Sequence, residues 1–92
     1  MNKNEDGLKA SFHKAIRKIV DNQLKADIAN AIRNVESAKS LRQINQLKKL
    51  KGYRQFYRIQ IGSYRIGLMI EAETVYFVDI DHRRNIYRIF PK

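Results

Sequence analysis

The chain has 92 residues, enough for one small domain with one modest core, and its 43% hydrophobic content is too high for a disordered polymer. It contains no cysteine, which excludes a disulfide framework and a thiolate metal site, and no stretch reads as a signal peptide or a membrane span. The 19 Lys and Arg outnumber the 9 Asp and Glu for a net charge of +10, well beyond what solubility requires, so a polyanionic partner is expected; an acidic protein surface would satisfy the same charge.

These features predict a single soluble, cytoplasmic domain over residues 1–92, with residues 1–7 polar and flexible. The basic excess is uneven. Residues 42–92 carry 11 basic and 4 acidic residues and residues 1–41 carry 8 and 5, so the C-terminal half is where a polyanion should dock.

Taken in chain order, Leu8, Phe12, Ala15, Ile16, Ile19 and Val20 recur at steps of three and four and predict one helix face. Asp21 or Asn22 can cap the next helix, whose face reads Leu24, Ile28, Ala31, Ile32, Val35 and which should end between Ser37 and Ser40. The short break makes the two an antiparallel hairpin. Leu41, Ile44, Leu47 and Leu50 then predict a short helical turn before an extended segment closed by Gly52.

From Tyr53 the period falls to two. Tyr57, Ile59 and Ile61 alternate with Phe56, Arg58 and Gln60, and Tyr64, Ile66, Leu68 and Ile70 alternate with Arg65, Gly67 and Met69. Gly62-Ser63 between them is a hairpin turn, and a third strand, Thr74–Ile80, completes a meander. The fold class is therefore α+β: a helical hairpin packed on a small antiparallel sheet of three to four strands. Its apolar face is covered, and Arg58, Gln60 and Arg65 project from a face otherwise short of acids.

Guanidinium groups suit phosphate because they are planar, always charged and able to engage two oxygens at once. Arg58 and Arg65 supply two on adjacent strands, with plain cross-strand polar decoration as the alternative. After the last strand, Arg83, Tyr87 and Phe90 gather in a cationic tail, where the rings either stack on unpaired bases or pin the tail to the sheet. Tyr57, Tyr64, Tyr76 and Phe77 fit the core or its rim. His13 reads as a surface residue, and His82, flanked by arginines, as a neutral ring. No metal-ligand spacing and no glycine-rich phosphate loop is present, so neither a metal nor another cofactor is expected.

Residues 48–67 (KKLKGYRQFYRIQIGSYRIG), followed by residues 81–91 (DHRRNIYRIFP), resemble the RelE/ParE toxin superfamily of type II toxin–antitoxin systems, closer to its RelE-like branch, over residues 8–91. The resemblance implies a ribosome-dependent mRNA endoribonuclease that acts without metal, by attack of a ribose 2′-hydroxyl on the adjacent phosphate. It assigns catalytic positions to Arg58, for proton transfer or phosphate binding, and to Arg65, for transition-state stabilisation. Arg83 would protonate the leaving oxygen or hold the phosphate, and Tyr87 would orient the base. Lys48, Lys49, Lys51, Arg54, Gln60, His82, Arg84 and Arg88 are the implied RNA contacts. The implied partners are the ribosome, mRNA and a cognate antitoxin, with no membrane and no small-molecule cofactor.

The chain departs from the family pattern twice. Gln60 stands where well-studied members carry a second strand lysine, leaving Lys51 or His82 as substitute general bases. The short strand that usually precedes helix one has no counterpart in the sequence pattern, which would leave a sheet edge open. A ParE-like inhibitor of DNA gyrase and an inactive binding module are the competing readings.

Overall fold

The first helix, α1 (Ala10–Arg17), is only eight residues long, too short to persist alone in water. It holds because Phe12, its one buried residue, packs its ring 5.4 Å from that of Phe77 on the sheet. In this computed structural model, which describes residues 7–91, α1 tightens at its end: the Lys18 and Ile19 N–H groups donate to the Ala15 and Ile16 carbonyls. The predicted stripe therefore ends early, and Val20 lies outside the helix, 85% exposed.

Asp21 caps α2 (Asn22–Ser37), its carboxylate accepting from the Gln23 and Leu24 N–H groups at 2.9 and 3.2 Å. Leu24, Ile28 and Val35 face the core, with Ala31 and Ile32 packed beside them. Asn34 holds the next segment in place: its amide donates to the Gln43 carbonyl and its oxygen accepts from the Asn45 N–H. One 3-10 turn (Leu41–Gln43) leads into β1 (Leu47–Lys49). The regular steps of three overstate its contacts, since Ile44 is buried and Leu41 is 37% exposed.

The expected meander follows as β2 (Phe56–Ile61), β3 (Tyr64–Glu71) and β4 (Thr74–His82) in a four-stranded antiparallel sheet of order β1-β2-β3-β4. Ile59, Ile66, Leu68, Ile70, Val75, Phe77 and Ile80 make its inner face, against which α1 packs on β4 and α2 on β2. Each such buried side chain contributes about 1.5–3 kcal/mol of hydrophobic free energy. Among the described residues no helix is long and apolar enough to cross a membrane.

Three expectations need correction or completion. The register of β4 slips between Gly67 and Leu68, so that Gly67 pairs with Asp79 and Leu68 with Phe77. This bulge reverses the alternation after Phe77 and brings Asp79 and Asp81 onto the same face as Arg65, which is therefore not short of acids. Ser11 satisfies the carbonyl of the bulged Val78 through its hydroxyl.

The missing first strand has a counterpart. Leu8 bridges Phe77 in parallel and Lys9 donates to the Phe77 carbonyl at 2.9 Å, so backbone pairing covers part of the β4 edge without a strand-like side-chain pattern. Of the predicted flexible segment, residues 1–6 lie outside the described residues; Gly7 is buried. Finally, the tail forms a short helix, α3 (Ile86–Ile89), that the sequence pattern did not suggest.

The β3–β4 turn holds a stability lever. Ala72 adopts φ 53°, a left-handed conformation that costs a residue with a Cβ about 1–2 kcal/mol. Part of that gain is lost because glycine has more freedom to lose on folding, so Ala72→Gly should stabilise the domain by about 0.5–1 kcal/mol. A urea midpoint no higher than that of the parent would contradict this.

Candidate functional site

Antiparallel partners share a face, so the register builds the outer face row by row. Gln60, Arg65 and Asp81 lie side by side on β2, β3 and β4; Lys48, Arg58, Gly67 and Asp79 form the next row from β1 to β4. Arg58 and Arg65 are diagonal neighbours on this face, about 7–8 Å apart at the backbone. The acids sit on β4, so the cationic patch is bounded on that side and an anion is favoured over β2 and β3.

Arg65 does not turn to its cross-strand neighbour Asp81. One guanidinium nitrogen, Nη1, donates to the Gly62 carbonyl at 2.8 Å and to the Tyr64 carbonyl at 3.0 Å. That anchors the group beside the β2–β3 turn and leaves the Nε and Nη2 donors for a forked contact with phosphate. Gly62, at φ 56°, gives the turn its left-handed step. The same turn receives the tail, for the Arg83 N–H donates to the Ser63 carbonyl at 2.7 Å. The Arg65 guanidinium and the Arg83 backbone are thus both fastened at one two-residue turn, with Gln60 opposite Arg65 and Arg58 two residues back on β2.

The remaining predicted residues divide. Tyr87 is 53% exposed on α3, and Arg84 and Arg88 are exposed close to it in the chain. Lys49, Lys51 and Arg54 lie in or near the β1–β2 connection, at the far end of β2 from the Gly62–Ser63 turn. Six residues at about 3.3 Å each separate those ends by roughly 20 Å, so Lys51 is not placed to serve chemistry at Arg65. His82 pairs with Tyr64 on the core side of the sheet, the rings edge-on at 5.6 Å, and its Nδ1 accepts from the Arg84 N–H at 3.2 Å. It is not on the face that carries Arg65.

Of the aromatics, Tyr57 and Tyr64 pack against the core and Phe77 is inside it. Tyr76 lies on the outer face with the Lys9 ammonium 4.5 Å from its ring centre. Phe90 pins the tail: it is 2% exposed and packs edge-on to Phe56 at 5.4 Å. Sequence reasoning missed Gly67, over which that ring lies; a glycine in mid-strand was the available signal. Among the described residues no three His, Asp or Glu side chains gather as a metal site would require.

The chain is similar to known proteins along most of its length. Residues 7–87 match the family described as the ParE toxin of the type II toxin-antitoxin system parDE. Toxin RelE3 of Methanocaldococcus jannaschii is 36% identical over 75 residues, covering 80% of this chain and 85% of that protein. A solved RelB-RelE antitoxin-toxin complex from Methanococcus jannaschii contains a chain that matches with a TM-score of 0.77 at 32% identity, over 91% of this chain and 98% of that one. A family match along nearly the whole described chain, a relative at this identity and a shared α+β fold lead to one conclusion: the chain belongs to the RelE/ParE superfamily of type II toxin–antitoxin toxins.

Proposed function

We propose that this toxin is an endoribonuclease that cuts mRNA held in the ribosome. The observation that carries the reading is the anchoring of the Arg65 guanidinium and of the Arg83 backbone at the Gly62–Ser63 turn, with Gln60 and Arg58 beside Arg65 on the outer face of the sheet.

In the proposed reaction the ribose 2′-oxygen loses its proton and attacks the adjacent phosphorus. The bond from phosphorus to the 5′-oxygen breaks and that oxygen takes up a proton from solvent, giving a 2′,3′-cyclic phosphate and a 5′-hydroxyl. Negative charge grows on the phosphoryl oxygens, and the forked edge of Arg65 neutralises it. Arg58 holds the phosphate from β2, Arg83 stands at the leaving oxygen, and the exposed ring of Tyr87 stacks on the neighbouring base. Gln60 is an amide: it can orient the 2′-hydroxyl but cannot take its proton, which passes to solvent. Alignment and charge neutralisation then carry the rate. Lys48 and Arg88 add phosphate contacts around this centre, and Lys49, Lys51 and Arg54 serve RNA further along β2.

The solved relative was determined with a RelB antitoxin, and a cognate antitoxin is the partner proposed here, an acidic or amphipathic segment that folds as it covers the basic face. The place of action is the cytoplasm, where ribosomes and message are.

A second reading is favoured by the ParE description of the matched family: inhibition of DNA gyrase without RNA cleavage. Primer extension on mRNA programmed into ribosomes, with naked RNA and an Arg65→Ala variant in parallel, separates the two. Cuts that need both the ribosome and Arg65 are expected. Intact message together with cleaved DNA in growth-arrested cells would transfer the assignment to gyrase, and intact message with unimpeded growth would leave a binding module.

A further inference from the structure

The segment after β4 is fastened to the sheet at two points. At its start the Arg83 N–H bonds the Ser63 carbonyl at 2.7 Å. At its end the Phe90 ring lies against the outer face, edge-on to Phe56 and directly over Gly67. A Cβ on Gly67 would stand 2.5 Å from Cδ2 and 2.6 Å from Cγ of that ring. Cγ is the root of the ring rather than a flexible tip, and Phe90 is 2% exposed, so the ring has no room to give way.

Ile86 and Phe90 are both buried yet stand apart from the core on the inner face. Their burial fixes the tail to the sheet, Phe90 through Phe56 and Gly67. Gly67 has no positive φ that would require glycine, and glycine in mid-strand costs about 0.5–1 kcal/mol relative to alanine. What its missing side chain supplies is the hollow that receives the ring. Between the two fastenings α3 presents Tyr87, 53% exposed, and Arg88.

We propose that Gly67 and Phe90 are positioning residues, a socket and its ring, that set Tyr87 and Arg83 against the basic face for RNA cleavage; this rests on the endoribonuclease reading above. Neither residue touches the reacting atoms. Their effect passes through the tail, where a displacement of about 1 Å can cost on the order of 10²-fold in rate.

The test uses the full chain on mRNA-programmed ribosomes, with Gly67→Ala, Phe90→Ala and each combined with Tyr87→Ala. Gly67→Ala and Phe90→Ala should each lower the cleavage rate about 10-fold or more, and adding Tyr87→Ala to either should cost little further, because the tyrosine is already misplaced. A merely destabilising change would leave the tyrosine's contribution undiminished. Amide exchange gives a readout independent of activity: in Gly67→Ala the Arg88 and Phe90 amides, bonded to the Asn85 and Ile86 carbonyls, should exchange faster while β2 and β3 amides stay protected.

Parent-like cleavage by Gly67→Ala, or a full Tyr87→Ala loss in the Phe90→Ala background, would overturn the positioning role. If the parent protein itself leaves message intact, the endoribonuclease reading fails separately. Exchange then judges the clamp: faster tail exchange in Gly67→Ala supports it, and unchanged exchange overturns it.

Discussion

Arg65→Ala should lower cleavage of ribosome-bound message by about 10²–10³-fold, the usual cost of removing one donor aimed at developing charge, and leave the fold standing. The two effects separate because of where the guanidinium is held. Its bonds go to the Gly62 and Tyr64 carbonyls at a hairpin turn, where water can replace it, so the stability change should stay within about 0.5–1.5 kcal/mol. Arg65→Lys keeps the charge and loses the fork, so it should recover only part of the rate. Primer-extension rates set beside urea midpoints measure both quantities. A variant that cleaves at the parent rate would remove Arg65 from the site. If Arg58→Ala then proved the damaging change, the phosphate would be seated two positions back along β2.

How far this site was legible in the sequence follows from what kind of signal each part leaves. Alternation of period two exposed β2 and β3, and with them the shared face of Arg58, Gln60 and Arg65, because neighbouring strands joined by a two-residue turn have a nearly fixed register. The acids of β4 were hidden. Counting by twos from Val75 and Phe77 puts Asp79 and Asp81 inside, and only the bulge, a backbone event that no side-chain pattern announces, turns them outward. The bridge at Leu8 was hidden for the same reason, since one backbone pairing needs no run of strand-forming side chains. Val20 was misread because steps of three and four continue past the point where the chain leaves the helix. The tail residues could be named from charge and aromaticity, but their fastening could not: it depends on a ring meeting a glycine 23 positions earlier in the chain.

The second large effect is expected on the opposite side of the sheet. Phe12→Ala removes the one fully buried side chain of α1, which meets Phe77 at 5.4 Å, and such a truncation costs about 3–5 kcal/mol. Against a typical total of about 5–15 kcal/mol, that is a large share, and in a domain of this size it should lower the melting temperature by roughly 12 °C or more. The rate per folded molecule should nevertheless persist well below the new midpoint, because Arg58 and Arg65 are carried on β2 and β3 and Arg83 is bonded to the turn between them, and α1 itself carries none of the three. Calorimetry gives the first number, and cleavage at low temperature, normalised to the folded fraction, gives the second. Loss of cleavage in molecules that circular dichroism shows to be folded would mean that α1 reaches the site after all. The route would be the hydroxyl of Ser11 on the carbonyl of Val78, since that contact lies at the bulge which sets the face of Asp79 and Asp81.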